Sequence, residues 1–97
     1  MVEHIVLFAW KPDTDPAAIQ KAVEGLRALK GRIPGVVDLT CGANFSDRGK
    51  NFTHGLVVRL TDRAALEIYG PHPLHQEIVQ SLIRPILAES LAIDYEF

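Results

Sequence analysis

The sequence predicts an α+β fold, a four-stranded antiparallel sheet carrying two helices on one face. Three observations carry that prediction. Four segments follow the period-two patterning of strands, and two repeat apolar residues at helical spacing. The order of those segments is βαββαβ, which a single sheet accommodates economically. The length of 97 residues allows one domain, spanning residues 1–97.

Val2 to Trp10 opens the chain as a strand. His4, Val6, Phe8 and Trp10 share one face, and Ile5, Leu7 and Ala9 share the other. Both faces are largely apolar, so both require cover. "KPDTDP" is a turn, with Asp15 as a helix N-cap and Pro16 at the first helical position. Ile19, Ala22, Val23, Leu26, Leu29 and Ile33 then keep helical spacing until "IPG" at Ile33–Gly35 ends the run. Val36 to Gly42 reads as the second strand, with Val37, Leu39 and Cys41 alternating, and Thr53 to Leu60 as the third. A polar hairpin loop, "ANFSDRGKN", joins them. Thr61 is placed to cap a helix through Tyr69. Gly70 to Pro73 interrupts that helix, and Pro73 restarts it with Leu74, Ile78, Val79 and Leu82 as its apolar stripe. The chain closes on "SLAIDYEF", where Leu91, Ile93, Tyr95 and Phe97 oppose Ser90, Ala92, Asp94 and Glu96. This is the ferredoxin-like pattern. Two helices cover one sheet face, and a second copy of the chain is the natural cover for the other, giving a homodimer.

Composition narrows the function classes. Hydrophobic residues make up 47% and charged residues 23%, with a net charge of −2. No basic balance favours nucleic acid or an anionic membrane. The apolar run at the N-terminus is short and broken by Glu3 and His4, so it predicts neither a signal peptide nor a membrane span. One cysteine, Cys41, fits a reducing, cytoplasmic setting and a buried apolar position. "GANFSDRGKN" fails as a phosphate loop, because its glycine spacing is wrong and no helix follows.

The stretch "YGPHPLHQEIV" concentrates the polar chemistry. On an unbroken helix, Tyr69 and His75 would diverge by roughly 240° at ~100° per residue. The "GPHP" interruption removes that constraint and allows both side chains to turn to one point, with His72 on the outer side of the bend. A histidine can take a proton near neutral pH, and a tyrosine hydroxyl can donate to an oxygen gaining charge. The pair suits proton abstraction beside a carbonyl. The competing reading is packing and capping. The four histidines do not make a shared metal site, since His4 and His54 begin antiparallel neighbours and should lie roughly 20 Å apart at ~3.3 Å per residue. His4 reads as a core histidine bonded to a carbonyl, Trp10 as a packing residue, and Asp94 and Glu96 as a solvated face.

Taken together, "HIVLFAWKP", "IPGVVDLTCGANFS", "FTHGLVVRL", "YGPHPLHQEIV" and "AIDYEF" resemble the stress-responsive A/B barrel (Dabb) family over nearly the whole chain. The resemblance implies a dimeric α+β barrel, two ferredoxin-like subunits with sheets face to face. One branch of that family comprises polyketide cyclases of the olivetolic acid type, which close linear polyketides by aldol condensation without a cofactor. Its catalytic tyrosine and histidine match Tyr69 and His75, around His72-Pro73, and its two strand histidines match His4 and His54. By position, Val6, Phe8, Val23, Leu26, Leu56 and Ile78 would line the substrate space. Some relatives hold a magnesium ion on backbone carbonyls, which would correspond to Lys30, Ile33 and Val36.

Three functions follow as alternatives. One is a cofactor-free cyclase or proton-transfer catalyst on a β-dicarbonyl compound, a small apolar carbonyl ligand, with His75 as base, Tyr69 as oxyanion donor, and His4 shaping the pocket. Another is a non-catalytic dimer that binds a small ligand or serves stress tolerance. The last is a small monooxygenase or haem-binding barrel, which no residue here requires. An open pocket beside Tyr69 and His75 favours the first; a filled interior with His75 bonded to backbone favours the second.

Overall fold

β1 (Val2–Trp10) lies inside the sheet because both its faces are apolar. A computed structural model describes all residues, Met1–Phe97. α1 (Pro16–Arg27), β2 (Val36–Ala43), β3 (His54–Leu60), α2 (Arg63–Tyr69), α3 (Pro73–Ile78) and β4 (Leu87–Glu96) follow in order. The strands form one antiparallel sheet in the order β2-β3-β1-β4. No helix is long and apolar enough to cross a membrane.

The helices cover one face. There, Val2, Phe8, Leu39, Cys41, Leu56, Val58 and Leu60 meet Ala22, Val23, Leu26, Ala65 and Tyr69 in a single core. The opposite face carries Ile5, Leu7 and Val57, with Leu91, Ile93 and Tyr95 about half exposed. Ala9 shares that face and is already buried.

Several boundaries differ from the sequence expectation, each for a local reason. α1 stops at Arg27, and successive i→i+3 turns carry the chain to Val36. Gly31 and Gly35 adopt left-handed φ values of 77° and 85°, which a continuing helix does not allow. Leu29 and Ile33 are buried all the same, so the apolar period extends beyond the helix. Val37 does not alternate into the core with Leu39 and Cys41 but is exposed, because the β2–β3 register shifts between Val36 and Asp38. Asp62, and not Thr61, caps α2, accepting from the amide of Ala65 at 2.8 Å. α3 passes directly into a π-helical turn, Val79–Ile83, closed by Arg84 N–H to Val79 carbonyl at 2.9 Å.

β4 reverses one expectation. Leu91, Ile93 and Tyr95 face away from the helices, and Ser90, Ala92, Asp94 and Glu96 share the helix-bearing face. The register sets this, since His4 pairs with Asp94 and Val6 with Ala92. Asp94 and Glu96 are solvent-exposed, as the sequence reading has them, but on the helix-bearing side and with basic partners. Asp94 bonds His4, and Glu96 forms a 2.8 Å ion pair with Arg63 at the start of α2.

Candidate active site

The elbow between α2 and α3 builds the centre of the site. α2 ends at Tyr69 because Gly70-Pro71-His72-Pro73 cannot continue it. Pro73 takes the first position of α3, and His72 caps that helix, its Nδ1 accepting from the Leu74 amide at 3.1 Å. In a continuous helix the Gly70 carbonyl would serve residue 74. Here Leu74 turns to His72, and the Gly70 carbonyl accepts instead from His75 Nδ1 and from the Gln76 side chain, both at 2.8 Å. A carbonyl only accepts, so His75 carries its proton on Nδ1 and leaves the Nε2 lone pair free. Burial holds the His75 imidazole below its ordinary range, the Gly70 bond opposes this, and nearby His4 and His72 lower it further. His75 is thus neutral at pH 7, with its tautomer set by the Gly70 carbonyl.

Tyr69 lies between two imidazoles. Its ring is 4.4 Å from that of His75, tilted by 38°, and 5.8 Å from that of His4, edge-on at 63°. The residue is 1% exposed and its hydroxyl has no hydrogen-bond partner. Burial pushes its pKa up to about 12, with the Cys41 thiol adding to the shift. The hydroxyl therefore keeps its proton and remains a donor, while the neighbouring imidazole remains an acceptor.

His4 projects from β1 onto the same face. The sequence suggests a carbonyl partner; the structure supplies the Asp94 carboxylate, which accepts from Nδ1. Sequence reasoning missed Asp94 because the faces of an alternating strand cannot be labelled until its register is known. The available signal was the parity match between His4 and Asp94 on adjacent strands.

The remaining candidates separate. His54 pairs with Phe8, four residues along β1 from His4, or about 13 Å at ~3.3 Å per residue, shorter than the roughly 20 Å expected from strand starts alone. Trp10 Nε1 donates to His54 Nδ1 at 3.0 Å while its ring stacks on Phe8 at 5.2 Å. Burial lowers the His54 pKa. His72 is occupied as a helix cap. Phe8, Val23, Leu26 and Leu56 are buried core residues, with Val6 and Ile78 packed against them. Gly25 gives α1 its close approach to Ile78 and Leu82, since a Cβ there would meet Leu82 Cδ1 at 2.8 Å.

Of the residues expected to line a pocket, only His54 borders one of the three main clefts. One cleft, with a volume of about 360 Å³, reaches His4 only through Asp94, and neither His4, Tyr69 nor His75 lines it. It runs between α2 and the end of β4, lined by Val2, Leu66, Tyr95 and four charged side chains that include Asp94. The carbonyls of Lys30 and Ile33 belong to the tight turns before β2, and Val36 is its first residue. Ile33 already accepts from the Val36 amide, and the Lys30 ammonium is paired with Asp38 at 2.8 Å. Magnesium prefers carboxylates and waters. No group of three acidic or metal-ligating side chains supplements these carbonyls.

Comparison with known proteins places the fold. A curated stress-response A/B barrel domain-containing protein of Arabidopsis thaliana is 30% identical over 95 residues, 98% of this chain. The chain spans only 36% of that relative's length. Among solved structures, a dimeric ferredoxin-like protein of unknown function from Thermobifida fusca superposes with a TM-score of 0.88 at 25% identity, covering 99% of this chain and 90% of that one. A hydroxynitrile lyase from Passiflora edulis shares the fold with a TM-score of 0.85 at 19% identity, covering 97% and 90% of the two chains. The profile of the Stress responsive A/B Barrel Domain family matches residues 2–97, and the chain belongs to that family.

Proposed function

We propose that this protein is a cofactor-free proton-transfer catalyst acting on a small apolar carbonyl compound of the β-dicarbonyl, polyketide-like type, and that it works as a homodimer. One observation carries the catalytic reading: the buried, unpartnered Tyr69 hydroxyl beside an imidazole whose tautomer is set by the Gly70 carbonyl. A buried hydroxyl without a partner costs about 1–3 kcal/mol. Such a group calls for an explanation, and a ligand atom completing the bonding is the one proposed. His75 Nε2 removes a proton from the carbon between two carbonyls. The electron pair moves onto oxygen, and the Tyr69 hydroxyl donates to that oxygen. The resulting enolate is the nucleophile that an intramolecular aldol closure uses. A hydroxynitrile lyase shares this fold, so the scaffold is compatible with an enzyme. The homodimer is supported by the half-exposed Leu91, Ile93 and Tyr95 face and by the dimeric neighbours.

A second reading, a non-catalytic dimer, is favoured by the filled space among Phe8, Val23, Leu26 and Leu56 and by the His75 bond to backbone. Deuterium uptake at the central carbon of a 2-substituted 3-oxo ester, followed by NMR, separates the two. The catalytic reading expects exchange above the protein-free rate, abolished in His75→Ala and lowered in Tyr69→Phe. A wild-type rate equal to the control leaves the non-catalytic dimer.

A further inference from the structure

We infer that Gln76 is a positioning residue for His75, its side chain holding the Gly70 carbonyl as the acceptor that selects the His75 tautomer. This rests on the proposed proton-transfer function, in which His75 acts through a free Nε2 lone pair, and deepens it. Gly70 is the C-cap of α2, where a helix leaves carbonyls without amide partners. Its ordinary partner, the Leu74 amide, has turned to His72 Nδ1 at 3.1 Å. Two half-buried side chains of α3 take that place. Each supplies a donor at 2.8 Å, His75 through Nδ1 and Gln76 through Nε2. A carbonyl oxygen has two lone pairs, so the pair of donors fills it.

The two donors are not equivalent. The Gln76 amide has no tautomer to choose and always presents N–H. Its orientation is fixed from the other side, where Gln80 Nε2 donates to Gln76 Oε1 at 3.4 Å. Its backbone amide is tied across the elbow to the His72 carbonyl at 2.9 Å. Gln76 therefore pins the Gly70 peptide from an anchored residue. The imidazole, by contrast, can donate or accept at Nδ1, and a carbonyl held against it admits only the donor form. Nε2 is then left without a proton, as the proposed base requires. Without the Gln76 bond, the Gly70 carbonyl is free to swing towards the Leu74 amide or to water, and His75 loses the acceptor that decides its tautomer. A purely structural Gln76, closing the end of α2, would alter stability and leave the tautomer as it is.

The test reads the tautomer and the chemistry separately in the intact protein. NMR of isotopically labelled protein at about pH 8, above the ordinary histidine range, gives the Nδ1 and Nε2 shifts of His75, assigned with His75→Ala, and so the ratio of its two neutral forms. Nδ1–H is expected to dominate in the wild type. Gln76→Met keeps the side-chain length and removes the donor. It is expected to lower the ratio of Nδ1–H to Nε2–H about fivefold, the weight of one neutral hydrogen bond. It should also slow deuterium exchange at the 2-substituted 3-oxo ester with KM unchanged. Gln76→Lys returns a donor and is expected to restore both. Circular dichroism checks that each variant is folded. An unchanged ratio in Gln76→Met overturns the inference, as does a lowered ratio with an unchanged exchange rate. A lowered ratio that Gln76→Lys leaves low overturns the donor role of Gln76. Nε2–H dominating in the wild type overturns the inference together with the role of His75. No exchange in the wild type overturns the proposed function, and the ratio still decides whether Gln76 sets the tautomer.

Discussion

Replacing Tyr69 by Phe should stabilise the protein while weakening its chemistry, an unusual combination for a residue 1% exposed. The ring would keep its place against His4 and His75, so no cavity opens. Only the hydroxyl disappears, and it has no partner to lose. Leaving a buried hydroxyl unbonded costs about 1–3 kcal/mol, which the substitution recovers. For a domain of this size each kcal/mol moves the melting temperature by about 4–8 °C. Tyr69→Phe is therefore expected to melt at least about 4 °C higher than the wild type. Thermal unfolding followed by circular dichroism measures this, at one protein concentration because assembly also shifts the transition. A variant less stable than the wild type by about 1 kcal/mol would refute the reasoning. It would mean that the hydroxyl is bonded in solution, as to a buried water, and is not held in reserve for a substrate.

Exchange catalysed by His75 should rise with pH through a midpoint below the ordinary histidine value of about 6.5, then stay level until Tyr69 ionises near about 12, as a pH–rate profile would show. Folding stability should follow the same sign. The unfolded chain binds protons on His54 and His75 at a pH where the folded one does not, so stability falls as pH drops below about 6.5, measured by urea titration. Light scattering should give twice 10.7 kDa for the wild type, and Leu91→Lys with Ile93→Lys should shift it towards one subunit. Gly35→Ala should cost more than Gly31→Ala in chemical denaturation. Both glycines are left-handed, at about 1–2 kcal/mol for an added side chain, but only at Gly35 would a Cβ stand 2.5 Å from Ala65 Cβ.

Local chemistry made much of this protein legible from its residues. Pro16 after Asp15 started α1, the double alternation of β1 marked a strand needing cover on both faces, and "GPHP" marked the break that brings Tyr69 beside His75. These features depend on side-chain shape and backbone freedom within a few residues, which a linear pattern records. The Dabb resemblance added the positions of His4 and His54. What needed the tertiary structure was whatever depends on register or on competition between partners. Asp94 became the partner of His4 only when β4 was set against β1, because alternation separates two faces without saying which one meets the helices. Val37 left the core through a one-residue bulge that its apolar character did not betray. His72 and His75 are the same residue type three positions apart. The fold turned one into an acceptor for an amide and the other into a donor to a carbonyl, because the elbow directs the Leu74 amide to His72 and the Gly70 carbonyl to His75.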